Sequence, residues 1–325
     1  MNSKIHLYAD LPMWQHRDVN QLEMIQDAAN IMEQIGFTGS LLFYTHATLD
    51  PWIVATSTMQ ATKTHIPIIA LQPYTLPPFT AAKKIHSLTH LFGRRVAINI
   101  IPGQSKEEQW QIGNPVGQEE RFDRLVEYTE ILRILLTTEE PVTYNGKYYR
   151  YENLQINAQI RPELQPIIFV AGFSPKFREA AYKIANVAIR AATPVSQMTK
   201  SYGQLYNSHV ELATRLGLIA RPTYEEAIEA AKQSVELRLL QILKRKARLA
   251  GEYTEEDERI YYPVEPGKEF RGPLLIGSYD EVANYFRKYV ELGIRHVIFS
   301  NIRTTEDMHH VRQVLDRSEI GLQRS

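Results

Sequence analysis

The chain has 325 residues, 44% of them hydrophobic, with 37 basic and 37 acidic side chains and no cysteine. That length supports a sizeable core in one or two domains, and the composition is globular, not disordered or fibrous. Balanced charge argues against a nucleic-acid binder, which usually shows a basic excess, and the missing thiols exclude disulfides, thiolate metal sites and a cysteine nucleophile.

The start, "MNSKIHLYAD", has no apolar stretch of signal-peptide length, and "KIHLYA" (4–9) reads as a first strand. An amphipathic helix follows over 19–35, with Leu22, Ile25, Ala28, Ala29, Met32 and Ile35 on one face and Gly36 as its stop. The second strand is "GSLLFY" (39–44), and the second helix (50–63) carries Pro51 in its first turn. "IPIIALQ" (66–72), a helix over 77–92, "RVAINIIPG" (95–103) and a long amphipathic helix over 118–136 continue the alternation. "PVTYNGKYYRYENLQIN" (141–157) then places Asn-Gly between two Tyr-rich runs, a hairpin signal. Strands resume at 165–172 and 186–192, with helices from Ser174 and near 194–206. A strand over 210–220 feeds one long helix over 223–250, and residues 251–274 are polar, rich in Gly and Pro, and without period. A helix, the strand "IRHVIFS" and a last helix at 304–316 complete the chain.

Eight strands each feeding a helix imply a parallel sheet, and the number eight points to a closed (β/α)8 TIM barrel of the α/β class, as a single domain over 1–325. The hairpin at 141–157 and the stretch at 251–274 are then insertions in barrel loops, the second with the character of a mobile lid. No run reaches the ~18 apolar residues of a membrane helix, so the expectation is a soluble cytoplasmic protein without membrane or nucleic-acid partners. The basic run "LKRKAR" (243–248) reads as the solvated face of a helix.

Barrel enzymes work at the C-terminal ends of their strands. There the sequence puts His16, His46, Asn99, Ser174 and Arg215 among Trp14, Tyr44, Tyr74 and Phe173, which makes apolar walls with a few polar groups. No metal-ligand spacing, nucleophile elbow, Gly-x-Gly-x-x-Gly or Walker loop appears. "AGFSP" (171–175) ends a strand in Gly and opens a helix with Ser at the N-cap, so it is a helix cap or an anion site.

These stretches resemble the bacterial luciferase-like flavin monooxygenases, nearest the alkanesulfonate monooxygenase branch. The likeness runs through "GFTGSLLFY", "DPWIVATS", "PPFTAAKKIHSLTHLFGRRVAINIIPG", "EERFDRLVEYTEILRILL", "PIIFVAGFSPKFREAAYKIANV" and "IGSYDEVANYFRKYVELGIRHVIFS". The resemblance implies reduced FMN from a separate NAD(P)H:flavin reductase, molecular oxygen, a flavin C4a-peroxide, and a small or carrier-protein-bound substrate, in a homo-oligomer. It places Asn99 beneath the flavin and Gly172, Phe173 and Ser174 at its phosphate. Gln118 and Phe122 fall where relatives carry His and Tyr near the cofactor. On the substrate side, Trp14 and Tyr44 line the pocket, and Thr48, Ala191 and Ile302 replace a Cys, a Trp and a Tyr. Arg215 and Lys268 match two cationic positions, which suit a carboxylate or phosphate on the substrate. His46 is the candidate proton-transfer group, since a histidine titrates near neutrality. An F420-dependent oxidoreductase and a flavin-binding protein without activity are the alternatives on the same fold.

Overall fold

Eight runs rich in Ile, Val, Leu and Ala are buried on both faces, as parallel strands covered by helices must be. They are β1 (Lys4–Asp10), β2 (Gly39–Leu42), β3 (Ile66–Leu71), β4 (Ala97–Ile100), β5 (Ile167–Ala171), β6 (Val187–Ala191), β7 (Glu211–Arg221) and β8 (Ile294–Phe299). The structure, a computed structural model, describes residues 4–14, 20–103, 105–114, 116–156, 159–263, 272–302 and 304–323. Each strand pairs in parallel with the next, and β8 pairs with β1, His6 opposite His296 and Tyr8 opposite Ile298, so the sheet closes into the expected barrel. Among the described residues no helix is long and apolar enough to cross a membrane.

Side chains alternate along a strand, so every second residue points into the barrel. Tyr8, Leu41, Ile68, Ala97, Phe169, Ile189, Ala213 and Ile298, one from each strand, form a dry plug there. Phe169 and Tyr8 are fully buried in it and meet edge to face with centroids 5.9 Å apart. Burial of each such ring stabilises the barrel by ~1.5–3 kcal/mol, and Phe169→Ala would cost ~3–5 kcal/mol through the cavity it leaves. The opposite strand faces pack on the helix ring, where Leu7, Ile98, Val170, Val297, Leu125 and Phe286 belong to the larger core.

The helices start where their caps dictate. Asp50 accepts from the backbone of Trp52 and Ile53, and Ser278 and Glu281 form a reciprocal capping box on helix Tyr279–Glu291. The hairpin over Val142–Asn145 and Arg150–Leu154 is present as a two-stranded sheet of its own. Its turn is held by Glu127, which accepts from the backbone of Lys147, Tyr148 and Tyr149.

Elsewhere the structure differs from the sequence reading. The helix expected over 223–250 is two, Tyr224–Ser234 and Leu237–Leu249, broken at Val235, whose extended φ of −144° takes it out of the helix. The helix expected near 194–206 is a chain of short turns around Met198–Tyr202. A helix at Lys106–Gln111, capped by Ser105, was not anticipated. The stretch 251–274 is not free of structure: Thr254 and Asp257 cap a helix at Glu255–Ile260, and Tyr261–Tyr262 pairs antiparallel with an unanticipated strand at Leu274–Ser278. Residues 264–271 of the expected lid lie outside the described residues.

That extra strand explains the length of β7. Residues up to Leu216 pair with β6 and β8 in the barrel, and from Gly217 onward β7 runs past the rim to pair with Leu274–Ser278. The switch needs glycine at 217, because a Cβ there would strike Leu274 and the Asn301 amide. Asn301 completes the exchange: its side chain accepts from Leu218 N (3.0 Å) and donates to Leu218 O (2.9 Å).

Candidate active site

One step beyond the apolar plug, the alternation puts Asp10, Phe43, Ala70, Asn99, Ala171, Ala191, Arg215 and Ser300 on the interior face at the C-terminal rim. Three alanines leave a shallow floor, and four polar side chains surround it. The core needs none of these polar groups, and burying them costs energy unless something satisfies them.

Asp10 and Arg215 form an ion pair across β1 and β7, with side-chain exposures of 11% and 15%. Arg215 Nε is buried without a protein partner. So is Asn99 Oδ1, on a residue only 6% exposed. The Ser300 and Thr45 hydroxyls, after β8 and β2, are also buried and unpartnered. Buried polar atoms without partners are rare in folded proteins, and several together at a barrel mouth mark where a ligand's donors and acceptors would go.

The β2 loop forms one wall. His46 is exposed; its backbone N–H donates to Glu108 Oε1 (3.0 Å) and its Nδ1 bonds Gln111 Oε1 (2.9 Å). An amide oxygen only accepts, so Nδ1 is the donor in this contact. Both partners lie on the helix Lys106–Gln111, which makes His46 a clamp between two rim loops. Tyr44 is half-buried with its ring 6.3 Å from that of His46, and burial, then the nearby Glu108 and Asp50 carboxylates, raise its pKa. The Thr48 hydroxyl donates to Thr45 O (3.0 Å) and accepts from Thr45 N (3.1 Å), so it closes its own turn and is not free to reach a substrate. Trp14, 41% exposed, bridges to Thr48 and packs 5.9 Å from Phe43, which laces the β1 and β2 loops together.

A second wall starts at β5. Gly172 sits where a Cβ would be 2.8 Å from the Phe177 side chain, so strand and helix approach more closely than another residue allows. Ser174 caps helix Pro175–Ile184 by accepting from Phe177 N (3.1 Å). Phe173 is 56% exposed, with the Arg190 guanidinium 5.3 Å from its ring centre and Nη1 donating to its carbonyl (3.1 Å). The neighbouring helix Gln118–Thr137 starts alongside, tied by Lys176 to Asp123 at 2.8 Å. Its N-cap Gly117 supplies no side-chain oxygen, and among the described residues no side chain caps its first amides.

Gln118 opens that helix, but its side chain lies outside the described residues, as do His16 and Lys268. Phe122 is 2% exposed and belongs to the barrel–helix core, so the structure gives it packing and no polar contact. The residue just before it is a group the sequence reading passed over. Arg121 is 5% exposed, has no acid partner among the described residues, and its Nε is unpartnered; burial alone pushes its pKa down. It lines a small pocket with Gln72, Gln109, Asn114 and Arg124, beside Tyr74 and two prolines. There Gln109 donates to Gln72 (2.7 Å), Asn114 to Gln109 (2.5 Å), and Arg124 to Asn114 (3.0 Å). The available signal was a cation on the apolar face of the helix, in register with Leu125 and Tyr128. Asp10 carried a weaker one, as the single acid ending a strand of the barrel.

The family model described as luciferase-like monooxygenase matches residues 1–296. The chain is 31% identical, over 95% of its length and 96% of the relative's, to a 4-(gamma-L-glutamylamino)butanoyl-[acyl-carrier protein] monooxygenase of Niallia circulans. Its fold is similar to that of a long-chain alkane monooxygenase (TM-score 0.74, 17% identity, 99% of this chain and 93% of that one). It is also similar to an F420-dependent secondary alcohol dehydrogenase solved with an F420–acetone adduct (TM-score 0.69, 17% identity, 97% and 99%).

Proposed function

The chain belongs to the luciferase-like monooxygenase family and is a monooxygenase of that class, and from that premise we propose that it binds reduced FMN at the C-terminal rim and oxygenates an acyl group carried on a carrier protein. The observation that carries the reading is the rim itself: a floor of Ala70, Ala171 and Ala191 beside the unpartnered Asn99 Oδ1 and Arg215 Nε. A flat heteroaromatic ring with its own N–H and C=O groups answers both orphaned atoms, and the alanines leave it room.

Asn99 would accept from a ring N–H, and Arg215 Nε would donate to a ring or substrate oxygen. Gly172, Phe173 and Ser174, with the uncapped start of helix Gln118–Thr137, would hold the phosphate, because helix N-termini favour anions. When bound, reduced FMN supplies the two electrons that split dioxygen, one atom entering the substrate and the other leaving as water. The residues of this chain bind, orient and exclude water. Asp10 holds the Arg215 guanidinium in place and cancels its charge, so this pair presents a polar but neutral edge. That disfavours a small free anion as substrate and suits a neutral acyl chain. His46, held through Nδ1, would take up a proton released beside the ring at its other ring nitrogen. Electrons would come from a separate NAD(P)H:flavin reductase.

The carrier-bound acyl substrate rests on the resemblance to the Niallia circulans enzyme, whose substrate is of that kind. Aerobic turnover with chemically reduced FMN, compared with anaerobic turnover with reduced F420, tests the reading. Product formed only with FMN and oxygen supports it. Product formed only with F420 makes the protein an oxidoreductase like the alcohol dehydrogenase it resembles in fold.

A further inference from the structure

The basic run noted in the sequence lies on helix Leu237–Leu249, which carries Arg238, Lys244, Arg245, Lys246 and Arg248 and no acidic residue, in a chain whose net charge is zero. Its inner face is Leu237, Leu240 and Lys244, buried against Ile219, Tyr262, Leu274 and Ile276. Lys244 is spent inward: its Nζ lies 3.5 Å from the centre of the Tyr262 ring and donates to Arg259 O. The outer face shows Arg238, Arg245 and Lys246, none with an acid partner among the described residues, interleaved with Ile242 (45% exposed) and Leu249 (76%).

The acidic turn that follows makes no ion pair with these three cations among the described residues. Glu256 is taken by Lys288, Glu258 by Arg248, and Asp257 by Ser196, Thr254 and Tyr285. The helix also stands in the right place. It packs on Tyr261–Tyr262, whose strand partner Leu274–Ser278 pairs in turn with the part of β7 past the rim, which starts at Gly217, two residues beyond Arg215. The segment after it rests on the β6 loop, with Tyr261 Oη donating to Ala192 O (2.9 Å) and Ser196 to Asp257 (2.6 Å). This layer flanks the mouth into which an arm-borne acyl group would pass.

We propose that the outer face of helix Leu237–Leu249, through Arg238, Arg245, Lys246, Ile242 and Leu249, is the docking surface for an acidic acyl-carrier protein. The inference rests on the carrier-bound reading above and adds where the carrier sits. A substrate on a flexible arm needs only the arm inside the barrel, so the carrier is recognised outside it. Unpaired cations steer an acidic partner and set its orientation, and two apolar side chains among them give it something to bury. Nucleic acid fits less well, because the face has no aromatic side chain for bases to stack on and the chain has no basic excess. A membrane surface fits less well too, since the apolar face an interfacial helix would insert is already buried in the protein.

The test uses the full chain with a phosphopantetheinylated acyl-carrier protein loaded with the 4-(gamma-L-glutamylamino)butanoyl group, and the same acyl group on pantetheine alone. Two variants are compared with wild type, R238E/R245E/K246E and the milder R238Q/R245Q/K246Q. The expected result is at least about tenfold weaker carrier binding and higher KM for the carrier thioester in the charge-reversed variant, an intermediate loss in the neutral one, and unchanged turnover of the pantetheine thioester. If both variants bind and use the carrier as wild type does, the docking surface is elsewhere while the carrier-bound reading stands. If wild type uses pantetheine thioester but neither binds nor uses the carrier thioester, or uses neither thioester, the carrier reading falls and this inference with it. If duplex DNA or anionic vesicles bind wild type as tightly as the carrier and through the same three cations, the face is not a carrier site.

Discussion

The Asp10–Arg215 pair ties the fold to the site, and removing one half at a time measures it. With side-chain exposures of 11% and 15% the two charges are largely withdrawn from water. At contact distance and an effective dielectric near that of a protein surface, their attraction is on the order of 4 kcal/mol, offset by the cost of desolvating both. Asp10→Asn leaves the Arg215 cation buried without a counter-charge, and Arg215→Gln leaves the Asp10 carboxylate in the same position. Each is expected to lose ~3 kcal/mol, whereas the double variant, with no buried charge, should lose much less than the sum. Urea denaturation of the four proteins gives the values directly. The same variants separate fold from chemistry. Asp10→Asn releases the Arg215 charge and should tighten binding of small carboxylates at the mouth, although the protein is less stable. Single variants within ~0.5 kcal/mol of wild type, or strictly additive losses, would show the pair to be solvated and refute the neutral edge it is argued to present.

Asn99→Leu removes an unpartnered buried acceptor, so stability should hold or rise slightly while FMN affinity falls about tenfold, the worth of one good hydrogen bond; equal affinity by fluorescence titration would take Asn99 off the flavin. His46→Gln keeps a bond to Gln111 but has no basic ring nitrogen, so it should lower kcat about a hundredfold with FMN affinity unchanged, whereas Gln111→Ala should mainly disturb the loop; equal losses of kcat in the two variants would make the His46 role structural. His65 is fully buried beside the Ser40 hydroxyl, and burial pushes its pKa from 6.5 down to about 4. Between those values the unfolded chain binds the proton and the folded one does not, so stability should fall as pH drops through that window, by up to ~1.4 kcal/mol per unit. His6, lowered to about 4 chiefly by burial, adds in the same direction. A melting temperature that is flat from pH 6.5 to 4 contradicts both.

The barrel was legible because its signal is periodic. Each strand reads as a short apolar run and each helix as a 3.6-residue stripe, and the order of eight such pairs leaves few topologies. What was not legible depended on partners distant in sequence. Leu274–Ser278 is a strand only because β7 overruns the rim at Gly217, and nothing local in "PLLIGS" says so. The break at Val235 was hidden because the apolar pattern continues through it from one helix into the next. At the site, position on the rim was readable for Asn99 from its place near the end of β4, whereas Arg215 lies in the middle of its strand and reaches the rim because the barrel part of β7 stops at Leu216. The pairing of Arg215 with Asp10 was not readable, since the two lie 205 residues apart and meet only when β8 closes the barrel between them. Arg121 was missed for the converse reason: a charged residue in a helix rich in Glu and Arg looks solvated until the fold buries it.

Oxygen insertion at this rim can be read out by isotope labelling. The enzyme, reduced FMN and an acyl-carrier thioester are mixed under isotopically heavy dioxygen, and the acyl product is weighed by mass spectrometry. A monooxygenase puts one heavy oxygen atom into each product molecule, and none when heavy water replaces heavy dioxygen. A product that is oxidised but carries no label from dioxygen would contradict oxygen insertion.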